Sequence, residues 1–117
     1  SKSEIFYFKG NVYAASIGEL YSNFTEALDL IRNNDEGKTE ALAAYGKKNR
    51  KIFNDLKSLY YFEKDSIFFK IDKLKKYYDI KYLKTLRKKI GKENFASTIQ
   101  SFLEYLVLDY LDLLNSK

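Results

Sequence analysis

The residues best suited to chemistry are the lysines concentrated in residues 64–92. This segment holds eleven basic residues against three acidic ones, whereas residues 1–36 and 93–117 each carry more acidic than basic groups. Lysines interleaved with tyrosines can bind phosphate backbones, anionic lipid or an acidic protein surface. The same pattern is typical of a solvated helix face in a lysine-biased sequence, with Asp72 and Lys76 as an i,i+4 pair.

Tyrosine is the second informative residue type, with eleven copies that include the pairs Tyr60-Tyr61 and Tyr77-Tyr78. Neighbours on a helix point about 100° apart, so one member of a pair can be core while the other is surface. Exposed tyrosine is a favoured interface anchor, and the alternative is boundary packing with the hydroxyl in water. The residues predicted to bind a partner are Tyr61, Phe62, Lys73, Lys76, Tyr77, Lys84, Arg87 and Lys88.

No motif for catalysis or for metal binding is evident. The chain has no His and no Cys, which removes the commonest general base, the commonest metal ligand and any thiolate. Asp109 and Asp112 lie one helical turn apart and are interpreted as the solvent-exposed edge of a helix. We therefore predict a protein that is not an enzyme and that has no cofactor and no metal site.

Length and composition predict one domain with one core. The chain has 117 residues, is 45% hydrophobic and 17% aromatic, and has no proline, which favours helices. Residues 1–3 are interpreted as a tag or linker remnant, and residues 4–117 as a single helical domain excised from a larger or exported protein. No apolar run is long enough to span a membrane. Two locations are compatible with the sequence. The chain is either an exported or periplasmic domain whose signal lies upstream, or a cytoplasmic domain.

The last predicted helix, residues 94–115, organises the predicted fold. Two apolar stripes at helical spacing, one through Phe102 and Leu106 and one through Val107 and Leu111, indicate a helix that needs neighbours on several sides. We predict an all-α fold, a compact bundle of about five helices with this apolar C-terminal helix at its centre. The predicted core is Phe24, Leu28, Ile52, Leu56, Ile71, Leu83, Phe102, Leu106 and Tyr110.

The remaining helices are predicted to surround this one. We expect helices over residues 19–33 and 38–62, a fourth capped by Asp65 or Ser66, and a fifth over residues 80–90 that ends at Gly91. For residues 4–16 a helix is favoured over a β-hairpin that would turn at Gly10-Asn11.

Residues 10–34 carry a recognisable pattern. The matching positions are Gly10, Tyr13, Phe24, Ala27, Leu28, Leu30, Asn33 and Asn34. This pattern resembles the helical hairpin of a tetratricopeptide repeat, and the resemblance implies a groove that binds a peptide or protein. The Lys-, Tyr- and Phe-rich composition is similar to that of bacterial, spirochaetal exported helical proteins, including lipoprotein domains.

The leading functional hypothesis is a non-enzymatic protein-protein interaction domain. Two alternatives stay open: a module that binds nucleic acid or an anionic lipid surface through residues 64–92, and a structural bundle that forms a homodimer through leftover apolar surface on its last helix. Salt separates the first two, because binding through several phosphate contacts weakens steeply as salt rises.

Overall fold

A computed structural model of the chain describes residues 4–116. The predicted linker or tag remnant, residues 1–3, lies outside this range. The elements, in chain order, are β1 Glu4–Phe8, β2 Asn11–Ala15, α1 Ile17–Ala27, α2 Glu36–Ala43, α3 Arg50–Lys57, β3 Tyr60–Glu63, β4 Ser66–Phe69, α4 Ile71–Leu74, a 3₁₀ helix Lys75–Tyr78, α5 Ile80–Ile90 and α6 Lys92–Asn115. The all-α prediction was wrong, because two antiparallel hairpins accompany the helices.

The first hairpin replaces the helix favoured for residues 4–16. β1 pairs antiparallel with β2, and Phe8 opposes Asn11, which leaves a two-residue turn at Lys9-Gly10. Both turn residues have positive φ, as a type I′ turn requires. Phe6 is buried while its neighbours Ile5 and Tyr7 are exposed, so the side chains alternate with the two-residue period of a strand.

The second hairpin, β3 and β4, interrupts a region predicted to be helical. Glu63 opposes Ser66, and Lys64 in the turn has a φ of 57°. The rings of Tyr61 and Phe68, which face each other across the strands, stack at 5.7 Å. Such aromatic pairs favour a strand over a helix, which is why the predicted third helix does not reach residue 62.

α1 is shorter than predicted and follows a strand. Ser16 caps its start by accepting a hydrogen bond from the Glu19 amide. Asp29 has a φ of 62°, and this left-handed residue ends the helix well before residue 33. The tetratricopeptide-like hairpin at residues 10–34 was wrong, since residues 11–15 form β2 where that repeat has a helix.

The predicted helix over residues 38–62 is also broken at Gly46. A Cβ atom placed on Gly46 would overlap the backbone carbonyl of Glu93 and lie 2.7 Å from the Asn94 amide. Beyond it, the Lys47 amide donates to Asn94 Oδ1 at 2.8 Å, and the Asn49 amide donates to Thr98 Oγ1 at 2.8 Å. The chain between α2 and α3 therefore follows the first turns of α6, and its amides bond to α6 instead of continuing a helix.

α5 and α6 agree closely with their predicted bounds. Asp79 caps α5 through the amides of Lys81 and Tyr82, and Gly91, with a φ of 88°, separates the two helices. The first four turns of α6 carry the buried Phe95, Ile99, Phe102 and Leu106 and pack against α1, α2, α3 and α5. The turns after Leu106 hold no buried residue, so the helix is not enclosed along its length.

Most of the predicted core is buried. Six of the nine positions are inside, namely Phe24, Ile52, Leu56, Leu83, Phe102 and Leu106. Leu28, Ile71 and Tyr110 are only partly buried. Within residues 4–116 no helix combines the length and the hydropathy of a membrane span.

Candidate functional site

The eight residues predicted to bind a partner lie on four elements. Tyr61 and Phe62 are on β3, Lys73 is on α4, Lys76 and Tyr77 are on the 3₁₀ helix, and Lys84, Arg87 and Lys88 are on α5. The basic segment 64–92 is therefore divided mainly among the second hairpin, α4, the 3₁₀ helix and α5. That these residues bind a partner stays a prediction.

Three of these cations already have an anionic partner inside the fold, and two of them share Asp29. Arg87 Nη1 lies 2.7 Å from Asp29 Oδ2 and also donates to the Ala27 carbonyl at 2.9 Å. Lys84 Nζ lies 3.1 Å from Asp29 Oδ1. The hydrogen bonds from Arg87 and then Lys84 lower the pKa of Asp29. These contacts join α5 to the end of α1, whereas Lys73 and Lys88 are exposed.

The two aromatic residues on β3 differ in exposure: one is on the surface and the other packs against neighbouring rings. Tyr61 is exposed, with its ring stacked on Phe68. Phe62 is half-buried, with its ring 5.5 Å from that of Tyr60 and 5.8 Å from that of Tyr110. Only Tyr61 has the exposure that an interface anchor requires.

Lys76 and Tyr77 lie at a groove between α3 and α5. The Tyr77 hydroxyl donates a short hydrogen bond to Asp55 Oδ2 on α3, and Lys76 Nζ lies 2.9 Å from the same oxygen. Burial and this hydrogen bond raise the pKa of Tyr77. Burial also acts to raise the pKa of Asp55, but the bonds from Tyr77 and Lys76 outweigh it and hold that pKa below its usual value.

This α3–α5 groove has a volume of about 730 Å³, within the size range of small-molecule sites. Its apolar lining is Ile52, Leu86, Ile90 and the rings of Tyr77 and Tyr82, and its charged lining is Lys51, Asp55, Lys76 and Lys89. Sequence reasoning included Lys76 and Tyr77 but missed Asp55, which lies 22 residues before Tyr77. No local spacing links residues so far apart.

A second feature is the exposed side of the last turns of α6. We call Val107, Leu108, Leu111 and Leu114 the α6 apolar surface; all four are exposed, Leu108 to 63%. Next to it is a cleft of about 280 Å³ lined mainly by Ile67, Leu106, Val107, Tyr110 and Leu111. The sequence showed the helical stripe of apolar residues. It did not show that this chain leaves the stripe exposed.

The first hairpin has a comparable outer face. Ile5, Tyr7 and Val12, which we call the hairpin apolar face, are exposed, Tyr7 to 75%. Tyr7 opposes Val12 in the pairing, so the three side chains lie on one side of the two strands. Both strands are also edge strands, because this sheet has only two.

A polar network around Arg32 was missed entirely. Its guanidinium donates to Glu19 Oε2 at 2.7 Å, to Asn23 Oδ1 at 2.9 Å and to Glu26 Oε1 at 3.3 Å. A cleft of about 440 Å³ lies beside it, lined in part by Ser16, Gly18, Glu19 and Glu36. In residues 4–116 no cluster of carboxylates has the arrangement of a metal site.

Comparison with known proteins gives one family and one relative. Residues 2–117 match the family described as Carbamoyltransferase N-terminus. The chain is 49% identical over 112 residues to an uncharacterized protein of Methanocaldococcus jannaschii; the match covers 94% of this chain and 18% of that protein. No solved structure matches. The predicted tetratricopeptide and spirochaetal likenesses were wrong, since the family match covers almost the entire chain.

Proposed function

Because the chain belongs to the Carbamoyltransferase N-terminus family, we propose that it is an interaction domain of a carbamoyltransferase-like protein. Its role in this proposal is to bind the rest of that protein, and the carbamoyl-transfer chemistry belongs to the complete polypeptide. The observation that carries the proposal is the α6 apolar surface.

An exposed apolar strip of this kind favours a permanent binding partner. Val107, Leu111 and Leu114 recur at helical spacing, with Leu108 beside them, so the four form one continuous strip. Soluble monomers rarely expose contiguous apolar patches, and those that do usually have a partner there. Burial of each side chain that is now about half exposed would contribute about 1 kcal/mol.

The hairpin apolar face supports the same conclusion independently. A two-stranded sheet is at best marginally stable unless one face packs on other structure. Here Phe6 packs inward on Tyr78 at a ring distance of 5.0 Å, while Ile5, Tyr7 and Val12 remain uncovered. The open strand edges could also accept a further strand.

The proposed occupant is the remainder of the same polypeptide. The chain spans about a fifth of the length of the relative that it matches. The relative therefore has ample sequence outside the matched segment to cover both surfaces. A second copy of this chain is the competing occupant, and its contact would be symmetric.

A binding experiment in trans tests the proposal. The M. jannaschii relative, with its matching segment deleted, would be mixed with this chain and the mass of the complex measured by light scattering. We expect a one-to-one complex that the double substitution Leu108→Glu and Leu111→Glu abolishes. Tyr45→Glu is the matched control, because Tyr45 is 84% exposed and lies outside both surfaces.

Three results would contradict the proposal. The first is a mixture in which each polypeptide keeps its own mass. The second is a mass of this chain alone that doubles with concentration and returns to the monomer value with Leu108→Glu, which would favour the homodimer. The third is binding that Tyr45→Glu weakens as much as the double substitution does.

A further inference from the structure

We propose that the α3–α5 groove is a binding site for a small amphipathic anion, that is, an apolar ring or chain that carries a phosphate, sulfonate or carboxylate. This inference goes beyond the proposed interaction role and uses a different part of the molecule. It rests on the shape, the lining and the charge of the groove.

The floor of the groove is apolar and already in place. Tyr77 is 1% exposed, with its ring stacked 6.2 Å from Phe24 and edge-on 6.1 Å from Tyr82. Ile52 on α3 and Leu86 on α5 form the two walls. A ligand ring that enters would replace water on a surface whose side chains are held by packing, so little ordering cost opposes binding.

The charge of the lining favours an anion. The lining has three lysines, Lys51, Lys76 and Lys89, against a single carboxylate, that of Asp55. Asp55 already accepts the Tyr77 hydroxyl and the Lys76 ammonium on one oxygen, so a cationic ligand would compete for an occupied acceptor. Across the described residues 4–116, neither Lys51 nor Lys89 forms an ion pair, which leaves two ammonium groups for a ligand.

Asp55 has a positioning role in this arrangement. Its ion pair at 2.9 Å fixes the Lys76 ammonium beside the Tyr77 ring, 5.3 Å from the ring centroid. The hydroxyls of Ser58 and Thr85 donate to the carbonyls of Asp55 and Lys81, so their hydrogens are not offered to a ligand. The lysines are the cations of the lining. They supply the charge attraction for the anionic group, and as point charges they can bind any of the three anion types.

An NMR titration tests the site. The full 117-residue chain is labelled with ¹⁵N and titrated with naphthalene-1-sulfonate. We expect the shifted amides to cluster in α3, the 3₁₀ helix and α5. Lys51→Gln with Lys89→Gln should weaken binding about tenfold, because two charge contacts are lost at exposed positions that leave the fold intact. Lys76→Gln alone should weaken binding by a similar factor.

The matched control removes the same charge elsewhere. Lys84→Gln with Lys88→Gln likewise removes two positive charges, both on α5 and outside the groove lining, and should leave affinity within about twofold. Equal weakening by the control pair would overturn the proposal, since it would indicate attraction to net charge alone.

Two further probes separate the parts of the ligand. Naphthalene-1-methanol lacks the charge and sulfate lacks the ring, and each should bind at least about tenfold more weakly than the sulfonate. Equal binding of either one would contradict an amphipathic site. Shifts confined to the α6 apolar surface would also overturn it, whereas Leu108→Glu should leave the groove titration unchanged even if the interaction role fails.

Discussion

Among the five glycines, Gly46 has the least room for a side chain. We expect Gly46→Ala to destabilise the domain by at least about 2 kcal/mol, because the added methyl would overlap the Glu93 backbone, which cannot rotate away as a side chain could. Gly37→Ala is the control: Gly37 lies within α2 with open space around its Cα, and alanine there should stabilise by about 0.5 kcal/mol. Urea unfolding of both variants measures this, and equal stability of the two would contradict it.

Asp79 gives the domain part of its pH dependence. The hydrogen bond from Lys9 lowers the pKa of Asp79, so the contribution to stability is complete above the unfolded pKa of about 3.9 and is lost as pH falls through the lower folded value. Asp79→Asn keeps an oxygen for the α5 cap and removes the charge. We therefore expect wild type to lose more stability than Asp79→Asn between pH 7 and pH 3.

Urea midpoints at the two pH values measure that difference. Asp72→Asn, at an exposed position on α4, removes an equal charge without the Lys9 contact and serves as the control. Parallel pH profiles for wild type and Asp79→Asn would show that the Lys9 pair adds no stability.

The helices are joined to one another by a few buried polar contacts, of which Thr98 is the clearest. Its hydroxyl is fully buried, accepts from the Asn49 amide at the start of α3 and donates to the Asn94 carbonyl. Thr98→Val should cost about 1 to 3 kcal/mol, because the Asn49 amide would lose its acceptor. The control is Thr85→Val at an exposed position on α5, which should cost less than about 0.5 kcal/mol. Thermal melts of the two variants measure this difference in stability. Similar melting temperatures for the two variants would refute the prediction.

Elements with local end signals were the predictable part of this fold. α5 begins after the Asp79 cap and ends before Gly91, both of which are visible in the sequence. The hairpins were not predictable in the same way, because aromatic residues at consecutive positions fit both periods. Gly10 in the first turn suggested a hairpin only as the alternative for residues 4–16. Lys9 before it and Lys64 in the second turn rarely adopt positive φ, so neither gave a turn signal.

The candidate site was predictable only where its residues are neighbours in sequence. Lys76 and Tyr77 follow from the basic segment and the tyrosine pair, and both line the groove. Asp55 reaches them only through the packing of α3 on the 3₁₀ helix. Likewise, the stripe through Leu111 predicts an apolar neighbour but does not say whether this chain supplies it.

Across the entire domain, protection from solvent should change sharply along α6. The turns through Leu106 contribute side chains to the core, whereas the residues beyond it have exposed or only partly buried side chains. We expect hydrogen exchange in the isolated chain to be at least about 100-fold faster for amides after residue 107 than for those at residues 99–105. Mass spectrometry of exchanged peptides measures this, and uniform protection along the helix would contradict it.

The same measurement bears on the interaction role. If the rest of a carbamoyltransferase-like protein covers the α6 apolar surface, the fast amides should become slow in the complex. The hairpin amides should slow as well, because covering Ile5, Tyr7 and Val12 restricts local opening. Protection that stays unchanged on binding would place the contact elsewhere.

The contact between the first hairpin and the start of α5 also determines when the hairpin can dock during synthesis of the chain. Lys9 pairs with Asp79, which is 70 residues later in the chain, and Phe6 packs on the neighbouring Tyr78. At about 5 to 20 residues per second, the ribosome needs roughly 4 to 14 s to add that much polypeptide. For this interval the newly made hairpin has neither Tyr78 nor Asp79 to dock on, and both of its aromatic faces are open to chaperones.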